Sequence, residues 1–129
     1  MSTYCTQSQV EDVFGVENVA AWSDLSNTDT ADTARIARAI AVASERIDDV
    51  ARTTNYRIPL ADEDAATSVT VSDLAAMLAG IWLYEARGSR DFNPQTGEVA
   101  HRLEFKRLRA EQVLADIRDG RILLNALKG

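Results

Sequence analysis

Five apolar residues between positions 36 and 50 constrain the fold more than any other feature of the sequence. They recur at spacings of four, three, four and three residues: Ile36, Ile40, Ala43, Ile47 and Val50. This period places all five on one face of an α-helix. The sequence therefore predicts a long amphipathic helix over about 31–53, capped by Asp29 or Thr30.

Two further segments have helical patterns. Residues 74–84 are apolar almost throughout, which predicts a buried helix, and the segment 70–73 fits a capping box at its start. From 98 to 119 apolar residues return at helical spacing, and Gly120 stands at the natural C-cap position. We expect these to be the second and third long helices.

The N-terminal region carries shorter helical signals. Thr6 and Gln9 fit a capping box, and Gly15 ends the short helix that they open. No strand pattern or internal repeat is visible. The predicted fold is all-α, a bundle of three long helices plus one or two short N-terminal helices, with a helical domain over 1–120 and an apolar C-terminal tail over 121–129.

Length and composition predict a single folded domain. The chain has 129 residues, 46% of them hydrophobic and 26% charged, which is ordinary for a globular protein. The segment 74–84 is about half of the roughly 20 residues that cross a bilayer, so we expect no membrane span. The N-terminus lacks the basic flank and apolar run of a secretory signal, and the lone Cys5 fits a reducing cytoplasm and a small buried residue.

The charge is negative and unevenly distributed. The net charge is −6. Residues 1–70 hold five basic and twelve acidic side chains, whereas residues 71–129 hold nine basic and eight acidic ones. An acidic half repels polyanions, which argues against a dedicated nucleic-acid binder.

Motifs that carry chemistry are missing from the sequence. It contains no glycine-rich phosphate loop, nucleophile elbow, paired-cysteine motif or histidine-bearing metal helix. With one histidine, His101, and one cysteine, a transition-metal site would need carboxylates or a second subunit. We expect no enzyme activity, no cofactor and no metal.

Acidic side chains form two groups that could be considered as sites. The run from Asp62 through Glu63 to Asp64 lacks the ligand spacing of a calcium loop, which favours a solvated acidic loop. Asp48 and Asp49, together with Glu45, are assigned to the outward side of the long helix. A salt-bridged surface is favoured there over a general acid or base, because nothing supplies a pocket.

The last helix carries a basic stripe. Arg102, Lys106 and Arg109 recur at i, i+4 and i+7. The alternatives are a plain solvated face, an interface with an acidic partner and direct nucleic-acid contact. Among the aromatic residues, Trp82 fits core packing, whereas Trp22 fits either the core or an interface anchor.

The residues also resemble a known family. The similarity covers most of the chain: the opening Tyr4-Cys5-Thr6, the helix segment 43–48, the segment Tyr56-Arg57-Ile58-Pro59-Leu60, and Ile117-Arg118-Asp119-Gly120 followed by leucines. The chain resembles the phage head-tail adaptor proteins, also called connector or head-completion proteins, of Mu-like and related tailed phages.

The resemblance implies a structural role in a virion. The subunit is expected to assemble as a dodecamer into a ring below the portal. It is also expected to extend the DNA channel without binding DNA specifically and to receive the next neck or tail component. Synthesis in the bacterial cytoplasm and residence at the head-tail junction follow. The alternative from the residues alone is a small cytosolic helical protein-binding module or regulator.

Three groups of residues then become candidate sites. The portal-docking tail is Arg121, Ile122, Leu123, Leu124 and Leu127. The subunit or partner interface is Trp22, Tyr56, Arg57, Pro59, Arg102, Lys106 and Arg109. Acidic residues that suit a channel wall are Asp48, Asp49, Asp62, Glu63 and Asp64.

Overall fold

The computed structural model describes residues 3–26, 28–64, 66–86, 92–93, 98–99, 104–121, 124, 126 and 128. In chain order the elements are α1 (Gln7–Phe14), α2 (Val16–Ser23), α3 (Thr33–Ala51), α4 (Val69–Ala86), β1 (Phe92–Asn93), β2 (Glu98–Val99) and α5 (Glu104–Arg118). The strands form one antiparallel pair with Phe92 opposite Val99. Apart from this pair of two-residue strands, the regular structure in the described ranges is helical, which confirms the all-α prediction.

Helix α3 follows the apolar stripe. Ile36, Ile40, Ala43 and Ile47 are buried and Val50 is half-buried. The cap is Asp32, whose Oδ1 accepts a 3.1 Å hydrogen bond from Arg35 N, so the prediction of Asp29 or Thr30 was wrong. The reason lies in Asp24, whose carboxylate accepts from the backbone N–H of Thr28 and Asp29 and holds that segment in a loop.

Helix α4 is the centre of the fold. It packs against α1, α2, α3 and α5, and ten of its eighteen residues are buried. It begins at Val69, where the Ser68 hydroxyl accepts from Val71 N at 3.3 Å, so the helix starts two residues earlier than the predicted capping box at Thr70 implied. A helix that is covered on every side needs no polar face, which explains its continuous apolar run.

The length and composition of α4 would also suit a membrane span. Its eighteen residues have a mean hydropathy of 1.2, and 56% of them are buried within the fold. Burial against four other helices is the behaviour of a core helix.

Helix α1 follows its predicted boundaries, whereas α2 begins at Val16, before Asn18, which the sequence had suggested as its cap. Thr6 Oγ1 accepts from Gln9 N at 3.3 Å, and Gln9 Oε1 accepts from Thr6 N at 2.9 Å, which confirms the capping box. Gly15 ends α1 with a φ of 93° and α2 begins at the next residue.

Helix α5 begins later than predicted. Glu98 and Val99 belong to the strand pair, and the helix starts at Glu104. Backbone pairing with Phe92 and Asn93 replaces the helical hydrogen bonds that the spacing of apolar residues had suggested for 98–99. Its inward face carries the buried side chains Ala110, Leu114 and Ile117.

The end of α5 depends on Gly120, which has a φ of 76° and donates to Ile117 O. We expect Gly120→Ala to lower the free energy of unfolding by about 1 kcal/mol, since a side chain at positive φ is strained. Apart from its chain neighbours, no atom of the described residues lies within 4 Å of an added Cβ, so the effect isolates the backbone. Urea unfolding would measure it. Gly120→Asn should lose less because asparagine tolerates this conformation, and equal losses for Ala and Asn would contradict the explanation.

Candidate functional site

Two of the predicted interface regions come together in space. The turn that follows α3 contains Tyr56, and its hydroxyl accepts a 2.7 Å hydrogen bond from the backbone N–H of Leu124 in the C-terminal tail. Tyr56 also forms an antiparallel bridge with Lys128. The tail therefore runs beside the turn, and we call this combined region the tail–turn surface, defined by residues 53–56, 117–121, 124 and 128.

A groove of about 270 Å³ lies within the tail–turn surface. It is lined by Thr53, Thr54, Asn55, Tyr56, Ile117, Arg118, Asp119, Gly120 and Lys128. The threonine hydroxyls donate to Val50 O and Ala51 O, which fixes the turn against the end of α3. The lining therefore combines side chains of both charges with the apolar side chain of Ile117.

The tail itself divides into an exposed and a buried part. Arg121 is exposed, and its backbone N–H closes the end of α5 by donating to Asp116 O at 2.8 Å. Leu124 is 8% exposed and joins the core. Ile122, Leu123 and Leu127 lie outside the described residues.

The loop over residues 57–60, the proline loop, is held in place by buried hydrogen bonds of Tyr4. We call this group of hydrogen bonds the buried node. Arg57 and Pro59 are exposed, whereas Leu60 is buried. The backbone N–H of Leu60 donates to the Tyr4 hydroxyl at 2.9 Å. The N-terminal segment thus positions the exposed loop residues, although the sequence had marked only the loop.

Asp48 belongs to this node, so its assignment to the outward side of α3 was wrong. It is 2% exposed and accepts a hydrogen bond from the Tyr4 hydroxyl. One turn earlier, the buried Ser44 accepts from Tyr4 N at 3.1 Å. Helical periodicity gave α3 one buried face, but the N-terminal segment covers a second, so Asp48 cannot line a channel.

The remaining acidic candidates are at the surface. Asp49 pairs with Arg52 at the end of α3. Asp62 is half-buried and holds its own loop, because Oδ1 accepts from Asp64 N at 2.9 Å and Ala66 N at 3.0 Å. Glu63 and Asp64 stand exposed at the tip. The expected solvated loop is present.

The basic stripe does not form one surface. Arg102 lies outside the described residues. Lys106 is half-buried with Nζ 5.7 Å from the centre of the Phe14 ring. Arg109 is exposed beside a cleft of about 330 Å³ that is otherwise lined by Val13, Thr70, Asp73, Leu74, Met77 and Val113. The stripe is thus split between an internal cation–π contact and a separate cleft.

Both tryptophans pack within the fold. Trp22 is half-buried between Phe14 and Tyr84, with edge-to-face ring centroids at 5.5 and 5.2 Å. Trp82 is half-buried and its ring is covered by the Arg35 guanidinium at 4.9 Å. Trp22 therefore serves packing in the subunit, and sequence reasoning had overlooked Arg35.

The cysteine behaves as the sequence suggested. Cys5 is buried, and burial raises the pKa of its thiol to about 11. At neutral pH the thiol stays protonated and is a poor nucleophile. Within the described ranges, no three histidine, cysteine or acidic side chains gather in a way that could hold a metal ion.

Fold and surface together define a small, mainly helical protein with a groove shared by a turn and the C-terminal tail. Comparison with protein families matches residues 4–128 to the family described as Bacteriophage Mu, Gp36. The chain belongs to this phage protein family, which fits a structural or morphogenesis role. No curated protein matches the chain.

Proposed function

We propose that the protein is a structural subunit of a phage neck, a ring adaptor between the portal and the next neck or tail component that extends the DNA channel. The observation that carries the proposal is the tail–turn surface. It joins the two regions, the tail and Tyr56, that the family resemblance assigns to contacts with neighbours. Family membership over residues 4–128 supports a role in the phage particle.

The attachment of the tail suits a segment that changes partners. One hydrogen bond joins Leu124 N to the Tyr56 hydroxyl. The bridge between Tyr56 and Lys128 is isolated and is not part of a larger sheet. A single hydrogen bond contributes about 1 kcal/mol net. Release of the tail onto the portal breaks few hydrogen bonds but exposes the buried Leu124 side chain at a cost of about 1.5–3 kcal/mol, so the portal would have to cover that side chain in turn. Release would open the groove beside Ile117 to a neighbouring protein.

The charge distribution fits a channel through which DNA passes without being held. Residues 1–70 carry the excess of acidic side chains, and an acidic wall does not retain a polyanion. Asp48 is excluded from such a wall by its burial. The subunit would act at the head-tail junction after synthesis in the host cytoplasm, and no catalytic step is part of the proposal.

Deleting residues 122–129 should abolish attachment to portal-bearing capsids while leaving most helical content intact. The cut preserves Gly120 and Arg121, which complete the end of α5. Co-sedimentation with capsids measures attachment, and circular dichroism measures helix content.

A surface substitution away from the tail provides the matched control. Leu108 is 60% exposed on α5, so Leu108→Ser removes an exposed apolar side chain without touching the tail–turn surface. We expect this variant to co-sediment like the unaltered protein. If the tail-deleted chain attached to capsids as well as the unaltered protein does, the proposed docking role of the tail would be wrong.

A further inference from the structure

The first turns of α3 hold two arginines that form no ion pair with any acidic side chain of the described residues. Arg35 is half-buried and Arg38 is exposed, three residues further along the same helix. Among the ion pairs of the described residues, Arg46 pairs with Glu111, and Arg52 at the C-cap pairs with Glu45 and Asp49. Arg35 and Arg38 take part in none of them, although they lie in the acidic part of the chain.

The Arg35 side chain is already ordered. Its guanidinium carbon lies 4.9 Å from the centre of the Trp82 ring, which holds the planar group on an aromatic surface. Its Nε is buried and is the one buried side-chain nitrogen or oxygen of the described residues that lacks a hydrogen-bond partner. A buried donor without an acceptor is rare and calls for one. A carboxylate from outside matches the guanidinium best, because its two oxygens can accept from the two terminal nitrogens together, and this pairing compensates the charge of the group whose Nε is buried.

The chain also has two exposed carboxylates that lie away from Arg35 and Arg38. Glu63 and Asp64 stand at the tip of the loop after the proline segment, and neither belongs to an ion pair in the part of the chain that the structure describes. The shape of the loop is set by Asp62, whose carboxylate accepts from two backbone N–H groups. The two carboxylates are therefore presented on an ordered turn.

The two patches lie towards opposite ends of α3. The node beneath the proline loop contacts Asp48, thirteen residues beyond Arg35, which corresponds to about 20 Å along the helix axis. Opposite charges at opposite ends of one subunit are complementary between copies. Such a contact is heterologous, and heterologous contacts close into rings when the rotation between subunits permits.

We propose that Arg35 and Arg38, with Trp82 beneath Arg35, form a carboxylate-binding surface that takes Glu63 and Asp64 of a second copy of this chain. The inference rests on the ring assembly in the proposed function and names the contact between adjacent subunits. It gives Glu63 and Asp64 a role in subunit contact instead of the channel wall expected from the sequence. Arg35 supplies the preorganised planar group, and Arg38 supplies a second charge beside it.

The test is the self-association of the full chain by sedimentation, over a range of protein concentrations and at low and high salt. We expect the unaltered chain to associate at low salt and to weaken as salt screens the contact. Reversing either patch, as Arg35→Glu with Arg38→Glu or as Glu63→Lys with Asp64→Lys, should weaken association by at least about tenfold, since each attraction becomes a repulsion. The variant carrying all four changes should associate again.

Mixing the two single-patch variants gives the sharpest result. Each retains one intact patch, and its reversed patch is complementary to the reversed patch of the other variant, so the mixture should associate beyond two copies in alternating order, whereas each variant alone stays monomeric. The control for net charge is Asp12→Lys with Glu17→Lys, two exposed acidic residues outside both patches. It should associate no less than the unaltered chain, whereas Glu63→Lys with Asp64→Lys changes the net charge equally and should not associate.

The inference is overturned if the unaltered chain stays monomeric at every concentration, or if the reversed variants associate as well as it does. It is also overturned if the control weakens association as much as the reversal of Glu63 and Asp64 does. Capsid co-sedimentation separates this outcome from failure of the proposed function. Association that depends on Arg35 without attachment to capsids supports the contact and contradicts the neck role.

Discussion

Tyr4→Phe is expected to lower the free energy of unfolding by about 3 kcal/mol, although it removes only one oxygen atom. The Tyr4 hydroxyl donates to the buried Asp48 carboxylate and accepts from Leu60 N at 2.9 Å. Without it, a buried acidic group and a buried backbone N–H both lose a partner. Each such loss costs about 1–3 kcal/mol, and more where a charge is involved. Urea unfolding followed by circular dichroism measures the change.

Tyr56→Phe is the matched control for this prediction. It removes the same atom from a half-buried tyrosine whose hydroxyl serves one neighbour, Leu124 N. We expect a loss of about 1 kcal/mol. Equal losses at Tyr4 and Tyr56 would show that the buried node contributes no more than an ordinary surface hydrogen bond, contrary to this account.

Gly80→Ala is expected to destabilise the protein by about 1–3 kcal/mol, although alanine is the better helix former by about 1 kcal/mol. A Cβ at position 80 would overlap the Phe14 ring, which lies directly on the α4 backbone. The ring has little freedom to move, because it packs edge-to-face against Trp22, which in turn packs against Tyr84. Thermal and urea unfolding would measure the loss.

A compensating substitution tests whether the overlap is the cause. Phe14→Leu removes the ring edge from Gly80 and leaves an apolar side chain in the same position. The added cost of Gly80→Ala in that background should be clearly smaller than in the unaltered chain, as a double-mutant cycle would measure. An unchanged cost would locate the strain elsewhere in α4.

The tail–turn surface was only partly predictable. The sequence marked Tyr56 and the C-terminal leucines separately, because a tyrosine in a turn and an apolar terminus each stand out. The hydrogen bond from Leu124 N to Tyr56 could not be predicted from the sequence, because the two residues are 68 positions apart. The basic stripe shows the reverse case, in which residues that the sequence placed together lie in different surroundings. Regular spacing indicated one surface, but Phe14 draws Lys106 inward and Arg109 lies beside a separate cleft.

The long amphipathic helix illustrates what the sequence by itself determined. The stripe from Ile36 to Val50 specified that α3 forms and which face it buries, because the spacing of apolar residues is a local property and marks the face that must leave water. Only the tertiary structure decided that Asp48 and Ser44 are buried as well. Their burial depends on Tyr4, which lies 40 residues from Ser44 and 44 from Asp48 in the chain. Helical periodicity carries no information about which distant segment will cover a helix.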